Sequence, residues 1–246
     1  MYTCNITGKK FDLKNEDKHR EGGLAFGYNC RFRAISYLLT KMLYNEVKIL
    51  TKIPINKKIK GIGMSDSSWA NICAEKFDYK NTFYHKEPKL DIYNDDDVQK
   101  YTNLDFIISS DIFQFIKPYP NIQLTFDNMN KMLKPNGFIV FSVPFIYGEH
   151  QEHYPNLYDY KIIKHDNEFV LVNTTKDGEN EVFNNLKFYG ENNTKLEMRM
   201  FTKESLIKYL WDAGFVEIEF HDPDEDMNKY GIFWDNICSL IITARK

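Results

Sequence analysis

The apolar residues change period several times along the chain, and each change marks an element. Residues 31–50, RFRAISYLLTKMLYNEVKIL, place Ile35, Leu38, Leu39, Met42 and Leu43 at helical spacing, which predicts an amphipathic helix with one face on the core. KIKGIGMS (58–65) then reads as a strand ending in glycines, DSSWANICAEKF (66–77) as a helix with an Asp/Ser cap, and KNTFYH (80–85) as a short strand. LDFIISSDIF (104–113) and FIVFSVPF (138–145) are apolar and rich in Ile, Val and Phe, as strands covered on both faces are. Between them NIQLTFDNMNKML (121–133) is a helix stopped by Lys134-Pro135-Asn136-Gly137. Strand alternating with helix predicts a parallel sheet with helices on its faces.

Residues 148–200 break this rhythm. They are polar and aromatic, and YKIIKHDNEFVLVNTT (160–175) and EVFNNLKFY (181–189) are expected as hairpin strands. The alternation returns with helix TKESLIKYLWDAG (202–214), strand FVEIEFH (215–221) and a last strand CSLIITARK (238–246), expected as an antiparallel edge. The expected organisation is an N-terminal extension and helix over 1–50 and one α/β domain over 51–246, with an inserted lid at about 148–200. On the helical apolar faces, Trp69 and Trp211 are expected in the core.

Composition narrows the classes. With 246 residues and 43% hydrophobic content, the chain can bury a substantial core without metals or disulfides. Its four cysteines form no CxxC pair, which fits a reducing cytoplasm better than a secreted framework. No run approaches the roughly 18 apolar residues of a spanning helix, so a soluble chain without a membrane partner is expected. The 32 basic and 35 acidic residues, formal net charge −3, are mixed along the chain and leave no basic footprint for nucleic acid. A small-molecule partner remains.

In an open α/β sheet, ligands bind beyond the carboxyl ends of the strands. Four loops become candidates: Gly61, Gly63, Met64, Ser65 and Asp66 after the first strand; Tyr84, His85 and on to Asp91 after the second; Ser109, Ser110, Asp111 and Ile112 after the third; and Pro144 onward after the fourth. The last opens into Tyr147, Glu149, His150, Glu152, His153 and Tyr154.

LDFIISSDIFQFI and FDNMNKMLKPNGFIVFSVPF, with Lys134-Pro135-Asn136-Gly137 ahead of the second strand, resemble strand 4, the following helix and strand 5 of the class I S-adenosylmethionine-dependent methyltransferases. The likeness covers about 57–145 and 200–246. HREGGLAFGYNCRFRAISYLL (19–39) is similar to the lead-in of small bacterial members associated with surface-polysaccharide and sugar modification. The resemblance implies a Rossmann-like, mostly parallel seven-stranded sheet with an antiparallel C-terminal edge strand, a helical N-terminal cover, an inserted β-hairpin lid, and S-adenosyl-L-methionine at the first three loops. Three positions depart from the family pattern. Gly61, Gly63 and Ser65 stand for its Asp-x-Gly-x-Gly, Tyr84 and His85 lie where it has an acid, and Gln114-Phe115 replaces its Glu-His. G-x-G-x-x-G is unmatched, which disfavours a nicotinamide enzyme.

Methyl transfer is an in-line displacement on a sulfonium, so alignment carries much of the catalysis. Aromatic faces at Tyr147, Tyr154 or Phe113 suit the positive sulfur. For a hydroxyl acceptor His150 and His153 are candidate bases, with Glu149 or Glu152 orienting the imidazole. A solvated loop is the alternative for this cluster; a metal site is disfavoured because the His-Glu-x-x-His spacing is missing, and no metal is expected. Arg20, Arg31 and Arg33 are candidates for an anionic group of the acceptor. The expected activity is O-methylation of a small sugar-, nucleotide- or phosphate-bearing acceptor in surface-polysaccharide biosynthesis; the alternatives are a cofactor-binding module without catalysis, or transfer to nitrogen or to a macromolecule.

Overall fold

The computed structural model describes residues 1–66, 69–165, 168–189, 195–234 and 239–246. Strands β1 (Lys60–Met64), β2 (Asp78–Thr82), β3 (Leu104–Ser110) and β4 (Leu133–Pro144) run parallel. An insertion holding β5 (Asp159–His165), β6 (Glu168–Thr174) and β7 (Asn180–Phe183) precedes β8 (Val216–His221) and β9 (Ser239–Arg245). The central sheet has the order β8-β9-β4-β3-β1-β2.

Two expectations about this sheet are corrected. Six strands form it among the described residues, not seven. Between β2 and β3 the chain makes a short helix, α3 (Asp95–Gln99), whose cap Asn94 accepts from the Asp97 amide and whose first turn is acidic, which suits a helix N-terminus better than a strand. The C-terminal strand β9 is antiparallel but lies inside the sheet, between β4 and the true edge β8. The physical reason is legible in side chains. Ile241, Ile242 and Ala244 are apolar on both faces and buried, whereas β8 alternates acids with apolar residues and is buried nowhere along its length.

Helices α1 (Cys30–Tyr44) and α2 (Ala70–Lys76) cover one face; α4 (Gln123–Met132) and α5 (Lys203–Asp212) cover the other. Alternate residues feed the two cores: Ile107, Ile139 and Phe141 meet Phe126 and Met129, while Phe106, Ile108 and Val140 meet Ile35, Leu38 and Leu39. Asn29 caps α1 by accepting from the Phe32 amide, and Asn45 ends it in the left-handed region. Ile35, Leu38 and Leu39 are buried as the stripe predicts; Met42 and Leu43 are half-buried near its end.

Trp69 is fully buried, but it occupies the N-cap of α2 and makes no side-chain cap bond there. The expected Asp/Ser cap is not made by Asp66, which turns to Tyr79 instead; Ser67 and Ser68 lie outside the described residues. Trp211 is 67% exposed, because Leu206 and Leu210 form the inner face of α5 and leave Ile207 and Trp211, one turn apart, on the outer one.

In the insertion, β5, β6 and β7 form an antiparallel meander with a small core of its own around Tyr154, Leu157, Leu171 and Met198. Gln151–Glu152 pairs with Arg199–Met200 and closes its base, so the inserted segment leaves and rejoins the sheet at one point. No helix among the described residues is long and apolar enough to cross a membrane.

Candidate active site

The chain steps from β1 to β2 on one side and then crosses to β3 on the other, which opens a crevice between the carboxyl ends of β1 and β3. The residues that leave these two strands, Ser65 (φ +57°) and Asp111 (φ +52°), both adopt the left-handed region without being glycine. Such backbone persists only where its surroundings hold it, and it concentrates at functional sites.

A cavity of about 390 Å³ lies at this crevice. Met64 and Ser65 line it from β1, Tyr84 and His85 from the loop after β2, and Asp91, Ile92 and Tyr93 from the approach to α3. Ile112, Phe115 and Lys117 follow β3 into its wall. The insertion supplies Tyr160, Lys195 and Met198 to the same lining. Asp91 is held by accepting the Tyr93 amide at 3.0 Å.

Beside the cavity, under the N-terminal cover, lies a buried ionic cluster. Arg20 donates to both oxygens of Asp111 and to Glu21. Arg31 donates to Ser110 Oγ and to Glu21, and stands 3.5 Å from Asp111. Ser142 donates to Asp111 at 2.8 Å, and Tyr189 of the insertion donates to it at 3.3 Å. Burial alone would raise the Asp111 carboxyl; the guanidinium groups of Arg20 and Arg31 outweigh it and hold it below the ordinary value.

The glycines have a different role from close approach to a ligand. A Cβ on Gly61 would overlap the Phe106 ring, and one on Gly63 would overlap the Asp66 carboxylate and the Tyr79 hydroxyl, which donates to it. Gly63 therefore makes room for a buried Asp66–Tyr79 pair one layer behind Ser65. Burial pushes the Asp66 carboxyl up to about 7, against the opposing pull of the Tyr79 hydroxyl and the Arg31 guanidinium.

Of the sequence candidates, Met64, Ser65, Tyr84, His85, Asp91 and Ile112 come together around the cavity. Gly61, Gly63, Asp66, Ser109, Ser110 and Asp111 support it from behind without lining it. Arg20 and Arg31 converge on Asp111, but Arg33 is fully buried elsewhere, donating to the carbonyls of Gly23, Tyr28 and Gly231. Tyr147 is 75% exposed and borders a second cavity with Lys203, Glu204 and Asp222.

The cluster from Glu149 to Tyr154 does not line the main cavity. His150 meets Glu152 at 3.1 Å through Nε2 and Ser205 at 3.3 Å through Nδ1. Glu152 also accepts from Arg199, which is fully buried and donates to the carbonyls of Phe113 and Ile116. His153 meets Glu197 at 3.2 Å, and the buried Tyr154 accepts the Lys187 amide at 2.8 Å. Glu149 is exposed. No three His, Cys, Asp or Glu side chains among the described residues are grouped to hold a metal. These contacts pin the base of the insertion. The double variant His150→Ala/His153→Ala is accordingly expected to lose about 1–3 kcal/mol of stability and to keep ligand affinity in the main cavity. Denaturant titration and calorimetry read the two effects separately, and unchanged stability would overturn this assignment.

Sequence reasoning missed Ile92, Tyr93, Phe115, Lys117, Tyr160, Lys195 and Met198. Phe115 and Lys117 had a signal, since they follow a strand exit already singled out; the three from the insertion had none.

No known protein-family pattern and no protein of curated function matches the sequence. The fold is shared with solved structures. The crystal structure of an S-adenosylmethionine-dependent methyltransferase from Clostridium acetobutylicum ATCC 824 matches with a TM-score of 0.50 at 14% identity, over 86% of this chain and 89% of that one. DszA carbon methyltransferase matches with a TM-score of 0.50 at 12% identity, over 89% of this chain and 55% of that one. At these identities the likeness is one of fold alone.

Proposed function

We propose that the chain is an S-adenosylmethionine-dependent methyltransferase whose cofactor lies in the cavity between the ends of β1 and β3. The observation that carries this reading is the position of that cavity at the topological switch point of a sheet shared with methyltransferases. Its size falls in the roughly 300–1,000 Å³ range of small-ligand sites. Its walls also fit the group. Met64, Ile92 and Ile112 give apolar surface for an adenosyl moiety, Tyr84 and Tyr93 give aromatic faces for a sulfonium, and Asp91 gives a carboxylate for hydroxyl donors. The cofactor supplies a methyl group activated on positive sulfur. The chain aligns the acceptor and excludes water, and the insertion contributes Tyr160 and Met198 to the cavity wall.

The acceptor class proposed is a small sugar-, nucleotide- or phosphate-bearing molecule methylated on oxygen; its place in surface-polysaccharide assembly rests on the N-terminal resemblance alone. His85 is the imidazole in the cavity wall and the leading base there, ahead of His150 and His153.

Calorimetry tests the reading. S-adenosylmethionine and S-adenosylhomocysteine are both expected to bind, and Ile112→Trp, which fills the cavity, is expected to abolish binding while the protein still melts cooperatively. Silence of both ligands on folded wild-type protein would remove the proposal.

A further inference from the structure

We propose that the main cavity takes an acceptor carrying a phosphate or diphosphate group, held at the rim by Lys117 and Lys195. The word acceptor rests on the methyltransferase reading; the anion site does not. Lys117 Nζ lies 5.2 Å from the Tyr160 ring centroid and Lys195 Nζ 5.2 Å from that of Phe115, and all four residues line the cavity. Lys86 lies 4.2 Å over Phe83, another lining ring. Farther out, Lys176 lies 5.3 Å over Tyr119, which meets Tyr158 edge-on.

None of these four lysines has a carboxylate within 4.0 Å among the described residues. Lys117 and Lys195 therefore bring two ammonium groups, from two separate segments of the chain, to the wall of one cavity with no carboxylate of the described residues beside them. An ammonium resting on a ring face is attracted to it but still has N–H donors for oxygen acceptors.

The chemistry favours phosphate over carboxylate. Arginine forks suit a planar carboxylate, and Arg20 and Arg31 are already engaged by Asp111 and Glu21. Compact ammonium groups instead serve a phosphate as point charges from several directions. Lys117 follows β3 and Lys195 belongs to the insertion, so one anion between them would meet both walls.

The experiment is calorimetry of uridine 5′-diphosphate and of uridine on the protein with excess S-adenosylhomocysteine; a pyrimidine avoids imitating the adenosyl group. Uridine 5′-diphosphate is expected to bind about tenfold or more tighter than uridine. Lys117→Gln/Lys195→Gln is expected to erase that difference, and both positions are exposed, so folding is not at risk. Lys208→Gln, at a distant paired lysine, is expected to preserve it. Equal affinity for the two probes, or an equal loss in Lys208→Gln, would overturn the proposal. A tenfold loss of S-adenosylhomocysteine affinity in the double variant would also overturn it, because the lysines would then hold the cofactor's own carboxylate. If S-adenosylhomocysteine is silent while the diphosphate preference and its lysine dependence persist, the anion site stands and the methyltransferase reading falls.

Discussion

Replacing Asp111 with alanine is expected to destabilise the protein by about 3–5 kcal/mol, the usual cost of removing one partner from a buried ion pair. Asp111 is 6% exposed and Arg20 7%, so the variant leaves a guanidinium in the interior with only the more exposed Glu21 as counter-charge. Ser142 and Tyr189 lose their acceptor at the same time. With total stabilities usually at about 5–15 kcal/mol, the loss is large enough to unfold much of the protein on mild heating. Urea titration measures it. The double variant Arg20→Met/Asp111→Leu separates charge from packing: removal of both ions is expected to recover most of the loss, since an apolar pair of similar volume often replaces a buried ion pair at little cost. A loss under about 1 kcal/mol in Asp111→Ala would show that water reaches the cluster.

This cluster also marks where sequence reading stops. Asp111 was legible as a strand-exit acid, and Arg20 and Arg31 as cations ahead of a helix. That they meet across 91 residues was not, because periodicity reports neighbours along one element only. The same limit governs the segment from Glu149 to Tyr154. Its acids and imidazoles look catalytic in isolation, and the partners that engage them, Glu197, Arg199 and Ser205, come 44 or more residues later. The main cavity was half legible for this reason. Residues at strand exits could be placed from the alternation of elements, whereas Tyr160 and Lys195 reach the opening through the fold of the insertion, which no local pattern encodes. The order of the last two strands was misplaced although the signal was present, since VEIEFH alternates as an edge does and SLIITA does not.

Asp66→Asn is expected to flatten the pH dependence of stability. In the unfolded chain this carboxyl titrates near 3.8; in the native state burial raises it to about 7. A raised carboxyl stabilises the fold in full below the unfolded value, where both states are protonated, and that contribution is lost as pH rises through 7. Above it the native protein must hold a carboxylate in the interior or give it up, at a cost on the order of 4 kcal/mol. Asparagine keeps the shape and still accepts from the Tyr79 hydroxyl, but has no proton to lose. The stability of Asp66→Asn relative to wild type is therefore expected to increase by about 2–3 kcal/mol between pH 5 and pH 8. Taking the difference between the two proteins removes the histidines and the other carboxyls, which titrate in both. The pair stands directly behind Ser65, so ionisation also loosens the floor of the cavity, and ligand affinity in wild type should weaken over the same interval while that of Asp66→Asn holds. Parallel stability curves for the two proteins from pH 5 to pH 8 would mean that Asp66 is already ionised in the native state and that Arg31, not a bound proton, neutralises it.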